Sequence, residues 1–99
     1  MNRAAIFHVP EYIFAYPVAG DGIRLRLLAA RGDLNQVRVR YRNLYEHIQP
    51  MESVCMDLVL SDEDHDVFET TITVPEKRFQ YYFELEGEES ACYTSDGIL

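Results

Sequence analysis

Apolar and charged side chains alternate one by one through much of this sequence, and a period of two confines such a chain to half-buried antiparallel strands. Ile23, Leu25 and Leu27 alternate with Arg24 and Arg26, and Val37, Val39 and Tyr41 alternate with Arg38, Arg40 and Arg42. Each segment therefore has an apolar side and a guanidinium side, a pattern no amphipathic helix shares. Further strands are expected at residues 54–60, at 67–74 with Phe68, Ile72 and Val74 in phase, and at 79–85 with Phe79, Tyr81, Phe83 and Leu85 in phase. Shorter candidates at 5–9, 12–18 and 90–94 bring the expectation to about eight strands.

Turn residues punctuate these runs at Gly20-Asp21-Gly22, Arg31-Gly32-Asp33, Ser61 to Asp64, Pro75-Glu76 and Glu86-Gly87-Glu88. Short strands at such even spacing predict an all-β, immunoglobulin-like antiparallel β-sandwich of about seven or eight strands. The segment 42–52 fits no strand pattern and reads as a long loop. A chain of 99 residues, 47% hydrophobic and 26% charged, supplies one small core. It is too short for a (β/α)8 barrel, which takes roughly 250 residues.

The formal charge is −8, which disfavours nucleic acid and anionic membranes as partners. Its distribution is lopsided: residues 1–50 carry seven Arg against four carboxylates, and residues 51–99 carry two basic residues against thirteen carboxylates. The two halves should attract each other. No run of about 18 apolar residues exists, and the opening segment meets His8 and Pro10 before a signal-type apolar core develops, so a cytoplasmic location is expected. Cys55 and Cys92 have no metal-type spacing and read as free thiols, with a disulfide open only if they face each other.

Asp62, Asp64 and Asp66 open like a calcium loop, but Val67 stands where that loop needs Gly and Thr73 where it needs Glu, so the cluster reads as a solvated turn. His8, His47 and His65 are scattered, and the four serines lie outside any nucleophile or phosphate-loop motif. The carboxylates Glu84, Glu86, Glu88 and Glu89 fall on an outward strand phase and its turn. Catalysis by this chain, and a metal site in it, are not expected. The aromatic set of seven Tyr and five Phe is the more informative one: most fill a core, while an exposed ring beside polar groups can hold a sugar.

Several motifs recur in a fixed order: Ala5-Ile6-Phe7-His8-Val9-Pro10, Phe14-Ala15-Tyr16-Pro17, Ile23-Arg24-Leu25-Arg26-Leu27, Arg31-Gly32-Asp33-Leu34, Lys77-Arg78-Phe79-Gln80-Tyr81-Tyr82-Phe83-Glu84-Leu85, and Tyr93 ahead of Gly97. Over nearly its whole length the chain resembles the N-terminal immunoglobulin-like domain of the neopullulanase, cyclomaltodextrinase and maltogenic amylase group of the α-amylase superfamily (glycoside hydrolase family 13). That domain is classed as carbohydrate-binding module family 34. The resemblance implies a single accessory domain over residues 1–99, ahead of a catalytic barrel that this chain does not contain. The parent enzyme would hydrolyse α-1,4 and α-1,6 glucans or cyclodextrins, and the superfamily's catalytic carboxylates lie in its barrel. The domain itself would need no cofactor, calcium being a matter for the full-length enzyme. Its partners would be an α-glucan or cyclodextrin, its own C-terminal barrel, and a second subunit whose active-site cleft it narrows.

His8 and Pro10 match the family's opening motif, and Arg78 with Tyr81 matches its basic-aromatic run; all four are expected to be structural. The family's aspartate-aromatic-Trp pattern appears as Asp66-Val67-Phe68, and the Trp that precedes Met56 in relatives is absent. Tyr16, Tyr45 and Phe68 are the candidate sugar contacts. An alternative reading is a stand-alone protein-interaction module without sugar binding, whose contacts would be the rows Arg24, Arg26, Arg38 and Arg40.

Overall fold

The computed structural model describes residues 1–10, 14–43, 51–74, 79–95 and 97–98. Two antiparallel sheets face each other. One has the order β1-β2-β6-β5, built from β1 (Ala15–Pro17), β2 (Gly22–Ala30), β5 (Asp57–Ser61) and β6 (His65–Thr73). The other has the order β4-β3-β7-β8-β9, built from β3 (Gln36–Asn43), β4 (Glu52–Cys55), β7 (Phe79–Glu86), β8 (Ser90–Thr94) and β9 (Gly97–Ile98). The all-β sandwich expected from the alternation is the fold observed.

The phases also fall as the sequence implies. Leu25, Leu27 and Ala29 of β2, Val37 and Val39 of β3, Phe68 and Ile72 of β6, and Phe83 and Leu85 of β7 fill the space between the sheets. Their polar neighbours point outward and meet across the strands. β2 pairs with β6 so that Arg26 lies opposite Glu69, and β3 pairs with β7 so that Arg38 lies opposite Glu84. The basic first half and the acidic second half are thus interleaved strand by strand.

Three expectations are corrected. Residues 54–60 are not one strand: β4 belongs to the five-stranded sheet and β5 to the four-stranded one, with the buried Met56 between them. The Met56 amide still donates to the Val37 carbonyl at 2.8 Å, after which the chain crosses the sandwich to pair with β6. Periodicity reports which side of a strand is apolar and says nothing about which sheet the strand joins. At 5–9 there is no strand but a 3-10 turn, Arg3–Ala5, followed by a single bridge between Phe7 and Leu28; Ile6 and His8 do point inward. In 12–18 the strand is confined to Ala15–Pro17, with residues 12–13 outside those described. The short β9 was not anticipated.

Cys55 and Cys92 occupy one outward row of the five-stranded sheet, Cys55-Arg38-Glu84-Cys92. Two strands separate them, about 14 Å at three strand spacings, whereas a disulfide needs Cα atoms within about 7 Å. Both are free thiols.

Two turn glycines should respond differently to alanine. At Gly87 an added methyl would press into the carbonyl oxygen of Asp33, backbone that cannot swing away. At Gly32 the φ of 72° is left-handed but the space is open, so the cost is the conformational one of about 1 kcal/mol. Urea unfolding should therefore show Gly87→Ala to be the more destabilising, by about 1–3 kcal/mol as for other overpacked sites; equal losses would contradict this packing.

Candidate functional site

His8 is buried among the rings of Phe83, Tyr81 and Phe14, at centroid distances of 4.7, 5.5 and 6.4 Å. Its Nδ1 lies 2.7 Å from the Arg26 carbonyl oxygen and its Nε2 lies 2.7 Å from the Tyr81 hydroxyl. A carbonyl can only accept, so Nδ1 carries the proton and Nε2 accepts from Tyr81. The Tyr93 hydroxyl closes the arrangement, accepting from the His8 amide at 3.3 Å and donating to the His8 carbonyl at 3.1 Å. The opening segment is thereby tied to β2, β7 and β8 at once.

A cleft of about 780 Å³ adjoins this network and has His8, Tyr81 and Tyr93 in its lining. Its walls include Arg42, Phe79, Gln80, Tyr82, Thr94 and Ser95. Gln80 and Tyr82 come from the outward phase of β7, and the Arg42 Nε donates to the Gln80 side-chain oxygen at 3.0 Å. Aromatic surface with amide, guanidinium and hydroxyl groups around it can hold a polar ligand that has apolar faces.

Burial lowers the His8 pKa below its ordinary 6.5, and the bond to the Arg26 carbonyl opposes this only in part. Burial also pushes the Tyr81 hydroxyl up to about 12. Both groups are held neutral at pH 7. They serve as fixed hydrogen-bonding groups, and no nucleophile lies beside the His8 ring among the described contacts.

The candidate residues named from sequence are dispersed. Tyr45 lies outside the described residues, as do His47 and Arg78. Tyr16 is half-buried on β1, opposite Arg24 on the outer side of the four-stranded sheet. Phe68 is 4% exposed, a core residue with no face to offer a ligand; the strand phase that places it opposite the inward Leu27 decides this. Arg24 and Arg26 both reach Glu69, at 3.4 and 2.6 Å, and Arg40 reaches Glu84 at 3.1 Å. Arg38 stands beside the Cys55 thiol, which with Glu84 and Glu86 favours its charged form. These guanidinium groups act within their own sheets.

Asp66 is buried, bonded to the Ser61 hydroxyl and accepting from the Gly32 amide at 2.9 Å. Asp62 accepts from the Asp64 and His65 amides, which holds its carboxyl below the usual range. The two carboxylates thus serve the turn, and among the described residues no cluster of His, Cys, Asp or Glu could hold a metal ion. No described helix is long and apolar enough to cross a membrane. The cleft walls were missed from sequence because they join β3, β7 and β8; the one available signal was Tyr82 in the opposite phase to its aromatic neighbours.

His8 and Tyr81 each make stability depend on pH, in opposite directions. As pH falls below 6.5 the unfolded chain takes up a proton on His8 before the folded chain does, so stability is lost in that direction. As pH rises above 10 the unfolded chain releases the Tyr81 proton first, and stability falls again towards about 12. Tyr81→Phe should cost about 1–3 kcal/mol at pH 7.5 by leaving Nε2 without its donor, and should remove most of the alkaline limb. Tyr41, also raised by burial, accounts for a remainder. A Tyr81→Phe chain with denaturant profiles unchanged both at pH 7.5 and above pH 10 would refute the network.

Comparison with known proteins gives a consistent result. The alpha amylase N-terminal Ig-like domain family matches residues 1–99. A cyclomaltodextrinase of Thermoanaerobacter pseudethanolicus is 32% identical over 100 residues, covering 99% of this chain and 17% of that protein. Neopullulanase 2 of Thermoactinomyces vulgaris is 36% identical over 90 residues, covering 88% of this chain and 15% of that protein. A solved cyclomaltodextrinase structure superposes on the whole chain with a TM-score of 0.90 at 30% identity, using 17% of its own length. The chain spans about a sixth of these relatives and belongs to the alpha amylase N-terminal Ig-like domain family.

Proposed function

We propose that this chain is the non-catalytic N-terminal domain of a neopullulanase-like glycoside hydrolase acting on starch, pullulan or cyclodextrins. The observation that carries this reading is the fit of the entire chain, with a TM-score of 0.90, to about a sixth of a cyclomaltodextrinase. Hydrolysis of α-1,4 or α-1,6 bonds is then the work of the remaining polypeptide. A cytoplasmic location accords with one relative, an intracellular maltogenic amylase of Bacillus subtilis.

The domain's own contribution is to hold and orient α-glucan and to shape the approach to the catalytic site, including that of a second subunit in a dimer. The cleft supports the first role: Phe79 and Tyr82 supply ring surface for sugar C–H faces, while Gln80, Arg42, Thr94 and Ser95 supply partners for hydroxyl groups. Tyr16 offers a second ring, on the other sheet.

Amide chemical-shift titration with β-cyclodextrin and maltoheptaose tests the sugar role. Saturable shifts at Gln80, Tyr82 and Thr94 are expected, weakened several-fold by Tyr82→Ala. Absence of shifts at millimolar ligand, corresponding to binding weaker than about −4 kcal/mol, would remove sugar binding and leave the packing roles alone.

A further inference from the structure

The strand arginines of this domain meet carboxylates on the neighbouring strand, with one exception. Arg24 and Arg26 reach Glu69, Arg40 reaches Glu84, and Arg38 lies opposite Glu84 in the β3–β7 register. Arg42, near the end of β3, lies opposite the neutral Gln80 instead. Its Nε donates to the Gln80 side-chain oxygen at 3.0 Å, and among the described residues no carboxylate comes within ion-pair distance of it. The guanidinium is therefore held in place without being neutralised.

This charge lines the cleft. The chain has 17 carboxylates, yet none belongs to a described residue of the cleft lining. The bond through Nε leaves the Nη1 and Nη2 groups of Arg42 for a ligand. Because the Gln80 oxygen is already accepting, the free end of that amide is its NH2 group, a donor. Tyr82, two residues along the same outward phase of β7, and Ser95 add hydroxyl groups to the lining. An anchored guanidinium fork among neutral donors is suited to an oxyanion, since such charge-assisted bonds are the strong ones.

The surroundings narrow the anion. A polyanion spread over the domain would meet a net charge of −8, whereas one compact group meets only the lining, charges beyond about 8 Å being screened at physiological ionic strength. The rings of Phe79 and Tyr82 in the same lining require apolar faces next to the charge. A glucosyl unit carrying a phosphate monoester has both, with three terminal oxygens for the donors of Arg42, Gln80 and the hydroxyl groups. A uronate carboxylate offers two.

We infer that the cleft takes an anionic sugar, a phosphate monoester of a glucosyl unit, whose phosphate is held by Arg42 and Gln80 and whose ring lies on Phe79 and Tyr82. This deepens the reading of the cleft as an α-glucan site and rests on it for the ring contacts. The phosphate can arrive on a free sugar phosphate or on a phosphate-bearing glucan chain.

Amide chemical-shift titration of the chain at pH 7.5 with maltotriose, maltotriose 6-phosphate, glucose 6-phosphate and inorganic phosphate tests the assignment. The phosphorylated trisaccharide should bind about ten-fold tighter than the neutral one, the effect of a single hydrogen-bonded charge. Arg42→Gln should abolish that ratio, and so should Gln80→Glu, which gives Arg42 the carboxylate its neighbours have. Both positions face outward, and unchanged shifts in the core strands would show that the variants fold. Arg42→Lys, with the charge but not the fork, should keep part of the ratio. Tighter binding of the phosphorylated trisaccharide than of glucose 6-phosphate assigns the source to a glucan chain, and equal binding assigns it to a free sugar phosphate. The inference is overturned by a ratio near one, by a ratio that survives Arg42→Gln, or by inorganic phosphate binding as tightly as the sugar phosphates. In each of those cases shifts with maltotriose leave the glucan reading standing, whereas no shifts with any sugar would remove that reading as well.

Discussion

A slip of one residue between β2 and β6 would turn Arg24 and Arg26 into the space between the sheets and Leu25, Leu27 and Ala29 into water. The cost of burying two guanidinium groups and exposing three core residues makes the register the constraint on which everything else rests. The same holds for β3 against β7, where Val37 and Val39 would exchange with Arg38 and Arg40. Opposite charge reinforces the hydrophobic phase, because the correct register places Glu69 beside two arginines and Glu84 beside Arg40. Exposed pairs of this kind contribute little to stability, and their larger effect is to make the wrong pairings worse.

How much of this could be read from the sequence follows from what alternation encodes. Facing is local, so the inward sets of β2, β3, β6 and β7 were legible. Partner choice is not, so Met56, whose apolar side chain fits the period, gave no sign that the chain changes sheets there. The His8 and Tyr81 contact spans 73 residues and depends on β2 and β7 lying in facing sheets, which alternation leaves undetermined. Resemblance to a family marked both residues as structural, and the hydrogen bonds supply the reason. Phe68 shows the opposite failure, since its place after the acidic turn suggested a contact while its own phase in 67–74 already pointed inward.

The functional surfaces follow from the same register. Once the inner faces are sealed, what the domain can offer is the outer faces and the ends. The outward rows of the five-stranded sheet are polar and largely paired, and the cleft that adjoins them is lined by His8, Tyr81 and Tyr93, which the hydrogen bonds of His8 lock together. Those anchors come from three separate parts of the chain, so the cleft is preorganised by fold stability rather than by its own walls. A ligand meeting it need not order these anchors.

Charge left over after pairing gives these surfaces a direction. The arginines of β2 and β3 are engaged with β6 and β7, Asp57 joins the row of Arg26 and Glu69, and further carboxylates stand in the β5–β6 and β7–β8 turns. Electrostatic steering acts before apolar surfaces touch, and it rejects acidic surfaces while admitting basic ones in a limited range of orientations. The acidic composition that argues against nucleic acid and anionic lipid argues likewise against acidic protein surfaces.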